Sequence, residues 1–343
     1  MTPKTDQPDA APSAADSEQP DAGLAAVVSE RRQLMGLAYR LLGSVSEAED
    51  AVQETYARWY ALSREEQDGI ANPGAWLTRV AGRVCLDLLG SARARRERYV
   101  GEWIPEPVPE RTGWISGRPA ATAAPADPAD RVTLDESVGM AFLVVLEEMT
   151  PAQRVALILH DVFGYAFSEI AEVTGRSPGA CRELASAARR RARAAAPQAA
   201  APAVPRDEVV KGFKAAMQAR DITALVGLLD PDAVLTADGG GLVVTTTRPV
   251  EGRDRVARYL LALTTHLTED VTLRQSAVNG QPGLVVRQDG HTTGVYAFDI
   301  ADGRIRHIWA VRNPDKLRPW DGTDADTDDA ETTPGNAAAP ARP

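Results

Sequence analysis

The chain of 343 residues has only two cysteines, four histidines and no excess of positive charge. Cys85 and Cys181 lie far apart, each in a helical pattern, and read as small buried apolar side chains. Neither a disulfide nor a metal site is expected from them, and the histidines show no ligand spacing. No cofactor is expected either. No apolar run approaches the length of a membrane span, and the first residues carry no signal-peptide core. A cytoplasmic chain without membrane contact is the expectation. The net charge of −10 argues by itself against nucleic acid, but its distribution matters more than its total. Acidic residues crowd the ends, at Asp6, Asp9, Asp16, Glu18 and Asp21 and again from Asp321 to Glu331. Positive charge clusters instead at Arg93–Arg98 and Arg176–Arg193, and local patches set phosphate attraction. The low total implies weak free-standing DNA affinity.

Composition divides the chain further. Residues 1–23 and 319–343 are acidic tails with too little apolar periodicity to pack, and read as disordered. Residues 24–100 and 131–195 have helical spacing. Between them, residues 101–130 are proline-rich and read as a linker, and a second linker covers 196–205. Residues 206–318 change character. Two short helices lead to strand-like runs at Ala233–Ala237, Leu242–Thr247, Thr272–Val278, Gly283–Gln288, Gly294–Ile300 and Ile305–Val311. A third helix spans Arg253–Leu263. The expected fold is therefore multidomain: two all-α domains followed by an α+β domain with a mainly antiparallel sheet.

The stretch 162–193 has the marks of a helix-turn-helix, the arrangement that puts side chains into a DNA major groove. Ile170 and Ala171 lie on its first helix, the small residue allowing a close crossing. Gly175 occupies the turn. Ser177 suits an N-cap and Pro178 the first helical position. Cys181 and Leu184 then face inward. Arg176, Ser177, Arg182, Ser186, Arg189 and Arg190 are the candidates for DNA contact. The alternative is an ordinary helical hairpin whose arginines are a solvated face.

A second run, Gly43–Tyr60, begins a helix at an expected capping box of Ser46 with Glu49. Val52, Tyr56 and Trp59 share its apolar face. Glu47, Asp50, Gln53 and Glu54 form an acidic outer face, which on an isolated domain could be mere solvation. Trp76 continues into Leu77 and Val80 and is expected in the core. Arg93, Arg95, Arg96 and Arg98 end the following helix, suited to phosphates or a single strand. A solvated surface paired through Glu97 is the alternative there.

Taken in order, the Glu49–Glu54 helix, the stretch Asn72–Asp87 and the helix-turn-helix resemble the sigma-70 family, and within it the small extracytoplasmic-function sigma factors. The resemblance covers 24–100 and 131–195. It implies core RNA polymerase and promoter DNA as partners. Glu49, Asp50, Gln53 and Glu54 match the family's helix that docks on polymerase. The helix around Trp76–Arg98, with Arg79, Arg83, Arg93, Arg95, Arg96 and Arg98, corresponds to the element that meets the −10 region and its opened strand. The helix-turn-helix corresponds to the −35 reader.

Residues 206–318 look like a SnoaL-like cone, which a subgroup of these factors carries. Three motifs of that subgroup recur. They are Trp103-Ile104-Pro105-Glu106-Pro107, Asp238-Gly239-Gly240-Gly241 and Asn313-Pro314-Asp315-Lys316-Leu317. Ile104 and Leu242 depart from the subgroup's usual leucine and basic residue, and the second change removes a charge. Each motif could be a packing anchor or a turn. The regulatory reading makes them the contact between cone, linker and helical core. His266, His291, His307, Asp238, Tyr296 and Trp309 could line a pocket. Without a paired acid/base signature, catalysis is not expected, while a small-molecule ligand of this domain is left open. Two rivals stand beside the sigma reading. One is a stand-alone helix-turn-helix regulator; the other is a metabolite binder or enzyme in which the cone dominates.

Overall fold

The computed structural model describes residues 22–96, 99–110, 112, 114, 136–195, 204–264 and 270–321, with the side chains of 22–29 and 92–95 outside that description. The first helical part contains α1 (Ala22–Leu42), α2 (Val45–Tyr60), α3 (Arg64–Asp68) and α4 (Pro73–Arg96). The second contains α5 (Met140–Glu147), α6 (Pro151–Leu157), α7 (Phe167–Thr174) and α8 (Pro178–Ala195), with a π-helical turn over Ile158–Val162 closing α6. The last part starts with α9 (Arg206–Ala219) and α10 (Ile222–Leu228). It continues through β1 (Leu229–Asp238), β2 (Val250–Glu251), α11 (Arg253–Thr264), β3 (Val271–Val278), β4 (Gln281–Gln288), β5 (His291–Ala301) and β6 (Arg304–Val311), and ends at α12 (Pro314–Leu317).

Local signals set most of these boundaries. The Thr150 hydroxyl accepts from the Gln153 amide while the Gln153 side chain answers the Thr150 amide, a capping box ahead of Pro151. Gly175 ends α7 at φ +65°, a left-handed conformation that suits glycine. The Ser177 hydroxyl accepts from the Ala180 amide at 3.2 Å to open α8. Three strand-to-strand turns, Asn279-Gly280, Asp289-Gly290 and Asp302-Gly303, have positive φ at both central residues. That is the tight hairpin geometry whose twist matches the strands it joins.

The six strands run in the order β2-β1-β6-β5-β4-β3. All neighbours are antiparallel except β1 and β6, which are parallel. The expected strand Leu242–Thr247 does not form. After the glycine turn this segment finds no partner edge, and Leu242 and Val244 stand 67% and 93% exposed. The strand that pairs with β1 is instead the two-residue β2. A β-branched run gives the propensity for a strand but not its partner.

Alternation along β5 and β6 gives the sheet two apolar faces. Phe298, Ile300, Ile305 and Ile308 pack against α9, α10 and α11. Val295, Ala297, Trp309 and Val311 face the other way, onto Ile104, Met140 and Trp320. A sheet buried on both sides needs a second cover, and here the rest of the chain supplies it. The segment read as a linker is correspondingly unlike a solvated tether: residues 104–109 are buried. The Val108 amide donates to Asn279 Oδ1 at 3.1 Å, and the Asn279 amide donates back to the Val108 carbonyl at 2.9 Å. The two helical parts also share one continuous core, from Leu34 and Trp59 through Val108 to Ile170 and Ala188.

Candidate functional site

Glu49, Asp50, Gln53 and Glu54 are all exposed on one side of α2, while Ala48, Ala51, Val52, Thr55 and Trp59 are buried on the other. The helix starts earlier than the expected Ser46–Glu49 box. Ser44 is the N-cap, its hydroxyl accepting from the Glu47 amide at 3.3 Å. The carboxylate that completes the cap comes from the linker: the Ser44 hydroxyl and the Val45 amide donate to the two Glu106 oxygens at 2.8 and 2.7 Å. An anion at this helix end is favoured by the helix dipole. Burial pushes the Glu106 carboxyl above its ordinary range, against the opposing effect of those two bonds.

Several of the expected DNA-contacting arginines have specific protein partners. Arg79, on α4, pairs with Glu172 of α7 at 2.5 Å. Arg83, one turn on, donates to the Val173 carbonyl at 3.2 Å and lies 3.6 Å from Asp87. Between them Gly82 lets α7 approach, since a Cβ there would lie 3.1 Å from Val173 Cγ1. Arg96 does not lie on open surface. It is ion-paired to Glu147, donates to the Leu42 carbonyl at 2.5 Å, and lies over the Trp103 ring at 3.7 Å. Glu147 also holds Arg154, which is 3% exposed, at 2.7 Å. Arg93, Arg95 and Arg98 have no described side chains. On the helix-turn-helix, Arg176, Ser177, Arg182 and Arg190 are exposed and Ser186 is half-buried. Arg189 is drawn back onto buried Asp161 at 2.7 Å. Arg182 lies over the Phe167 ring.

The three short motifs meet. Asp238, fully buried at the end of β1, accepts four hydrogen bonds. Oδ1 takes the Tyr99 hydroxyl at 2.7 Å and the Gly240 amide at 3.0 Å. Oδ2 takes the Ile104 amide at 3.1 Å and the Lys316 ammonium at 2.6 Å. Lys316 also donates to the Ile104 carbonyl, and its ammonium lies 4.2 Å from the Trp103 ring centre. Trp103 thus contacts two cations, Arg96 from the helical part and Lys316 from the cone. Asn313 donates to the Tyr99 hydroxyl at 2.7 Å and caps α12, which Pro314 opens, by accepting from the Asp315 amide. Asp315 itself pairs outward with Arg318. The glycines make room: a Cβ on Gly239 would meet the Val243 carbonyl, one on Gly240 would lie 2.5 Å from Asn313, and one on Gly241 3.1 Å from Val100. The linker packs closely too: a Cβ on Gly43, between α1 and α2, would lie 3.5 Å from Pro105, and the Pro107 carbonyl accepts the Trp320 indole at 2.8 Å.

Sequence reading missed Tyr39, Tyr99, Ser137, Asn279 and Trp320 as members of this junction. The Tyr39 hydroxyl donates to the Glu106 carbonyl at 2.7 Å, while Asn279 donates to Tyr39 at 2.6 Å and to the Val138 carbonyl at 2.9 Å. Arg40, 1% exposed, donates to the Ser137 hydroxyl at 2.7 Å. Only Asn279 carried a signal, as the first residue of a hairpin turn.

The candidate pocket residues do not converge. His266 lies outside the described residues and His291 is exposed at a hairpin. Tyr296 packs on the helix-covered face, whereas Trp309 belongs to the opposite one. Asp238 is consumed by the junction. His307 stacks on Trp309 at 4.4 Å and bonds Thr236 at 2.9 Å, and burial pulls its pKa down to about 4. His307 instead borders an open groove of about 490 Å³ with Asp230, Asp232, Asp299, Asp302 and Arg306.

Residues 26–95 match the family model Sigma-70 region 2, and residues 139–191 match Sigma-70, region 4. The extracytoplasmic-function (ECF) RNA polymerase sigma factor SigJ of Mycobacterium tuberculosis is 40% identical over 297 residues, spanning 84% of this chain and 90% of that protein. This chain belongs to the ECF RNA polymerase sigma factors. The probable ECF sigma factor SigI of the same species is 34% identical over 301 residues, spanning 88% of this chain and 97% of that protein. The crystal structure of SigJ superposes with a TM-score of 0.63 at 34% identity, covering 86% of this chain and 98% of that one. The sigma factor is thus two helical sigma-70 parts followed by a SnoaL-like α+β cone. Among its described residues no helix is long and apolar enough to cross a membrane.

Proposed function

We propose that this sigma factor recruits core RNA polymerase through the exposed quartet Glu49, Asp50, Gln53 and Glu54. In this reading the α4 arginines engage the −10 region and the helix-turn-helix, through Arg176, Ser177, Arg182, Ser186, Arg189 and Arg190, engages the −35 region. The shared face of the quartet on α2 is the observation that carries the polymerase assignment. Its test is pull-down with core polymerase: Asp50→Arg abolishes retention, and undiminished retention would remove the assignment.

The cone acts as a regulator of this activity rather than as an enzyme. Elements centred near −10 and −35 lie about 25 base pairs apart, or about 85 Å at about 3.4 Å per pair. Here α4 and α7 are in van der Waals contact at Gly82 and Val173. The two DNA-reading parts therefore separate before both are engaged. The cone opposes separation, because its Asp238, Lys316 and Asn279 grip the segment that joins them. Tyr296 and Trp309, two candidates for a pocket lining, belong to opposite sheet faces, and Asp238 is taken up by the junction, which supports the regulatory reading. Work inside the cytoplasm follows from the partner.

A further inference from the structure

Arg79 and Arg83 lie four residues apart on one face of α4, and both are met by the same helix of the other DNA-reading part. Glu172 gives Arg79 a carboxylate at 2.5 Å, and the Val173 carbonyl, at the C-terminal end of α7, gives Arg83 an acceptor at 3.2 Å. A carboxylate beside one guanidinium and a helix-end carbonyl beside the next offer negative charge where a strand of DNA would offer phosphate oxygens. The fit is close, since a Cβ at position 82 would lie 3.1 Å from Val173 Cγ1 and would need that side chain to give way slightly.

We infer that Glu172 is an internal phosphate surrogate: it occupies Arg79 while the molecule is closed and must be displaced by the DNA backbone. The inference rests on the proposed contact of α4 with DNA. It goes beyond that reading by making the helix-turn-helix part a direct competitor for the −10 surface. The two parts then exclude each other from DNA through a pair of groups, in addition to the grip of the cone. The Arg79 and Glu172 side chains are 39% and 59% exposed. An ion pair so placed is weak, which suits a contact that opens when phosphate arrives. Arg96 gives a stronger version of the same choice, since its ion pair to Glu147 is half-buried and its guanidinium also stacks on Trp103.

The experiment measures binding of the full chain to a fluorescent oligothymidine strand of about twenty nucleotides at low salt. Phosphate attraction does not depend on base sequence, so no promoter need be known. Glu172→Gln is expected to tighten binding about twofold to fivefold, the range of an exposed ion pair. Glu148→Gln removes an equal charge from an exposed site in the same half and is expected to change affinity by much less. In an Arg79→Gln background the gain from Glu172→Gln should vanish. Equal tightening by Glu148→Gln, or a gain that survives Arg79→Gln, would overturn the surrogate. So would no gain at all. Failure of the sigma reading is seen separately: wild-type chain with core polymerase would then yield no promoter-specific transcript, whatever the oligothymidine result.

Discussion

Asp238→Asn tests the junction at its most concentrated point. The substitution keeps the shape of the side chain but leaves the Lys316 ammonium, 6% exposed, without its counter-charge. It also replaces an acceptor shared by Lys316 and the Ile104 amide with groups of mixed polarity. Removing one partner of a buried pair costs about 3–5 kcal/mol. The asparagine carbonyl can keep two of the four bonds, so the lower part of that range applies, about 3 kcal/mol. For a cooperative unit of 150–250 residues this corresponds to a melting shift of about 6–12 °C. Lys316→Met leaves Asp238 with its Tyr99, Ile104 and Gly240 donors and should cost less. The double variant Asp238→Asn/Lys316→Met should be no worse than Asp238→Asn, because the stranded charge is gone. Urea titration of the four proteins gives the coupling, and hydrogen exchange of residues 99–110 locates it. A loss below about 0.5 kcal/mol for Asp238→Asn, or strict additivity in the cycle, would refute the assignment of Asp238 as the ionic hub.

Other outcomes follow from the same geometry. His307 is held neutral by burial, with a folded pKa of about 4 against an ordinary 6.5. The unfolded chain takes up that proton first as pH falls, so stability present above about pH 6.5 is lost towards pH 4, by at most about 3 kcal/mol. Asp299, opposite it in the sheet, is raised by burial and acts in the other direction. The difference between wild type and His307→Gln across that window therefore isolates the imidazole, and parallel melting curves would contradict its role. Glu106→Gln weakens the cap of α2, costing about 0.5–2 kcal/mol. Faster exchange of the Val45 to Ala48 amides would report it. Gly240→Ala and Gly280→Ala both place a side chain at positive φ, but only the first meets Asn313. Gly280→Ala should cost about 1–2 kcal/mol and Gly240→Ala clearly more, by chemical denaturation.

Features set by neighbours in sequence were legible before the structure. Gly175, Ser177 and Pro178 place the turn and start of α8 where the chain puts them. The acidic and apolar sides of α2 separate at the expected residues. Errors arose where the deciding partner is distant. Ser46 and Glu49 have the local spacing of a cap, yet the glutamate that caps α2 is Glu106, some sixty residues on. Leu242–Thr247 has strand composition, but the sheet edge is taken by Val250–Glu251. Arg96 reads as surface charge because nothing nearby announces Glu147 or Trp103 as its partners. The proline-rich segment reads as a tether because prolines lack amide donors; its burial depends on Asn279, Trp320 and Lys316 arriving from the cone.

Run-off transcription from genomic fragments with core polymerase and the full chain tests the central claim most directly. The account predicts discrete start sites that require the chain and disappear with Asp50→Arg. An absence of chain-dependent transcripts, with the same core enzyme active alongside another sigma factor, would contradict it.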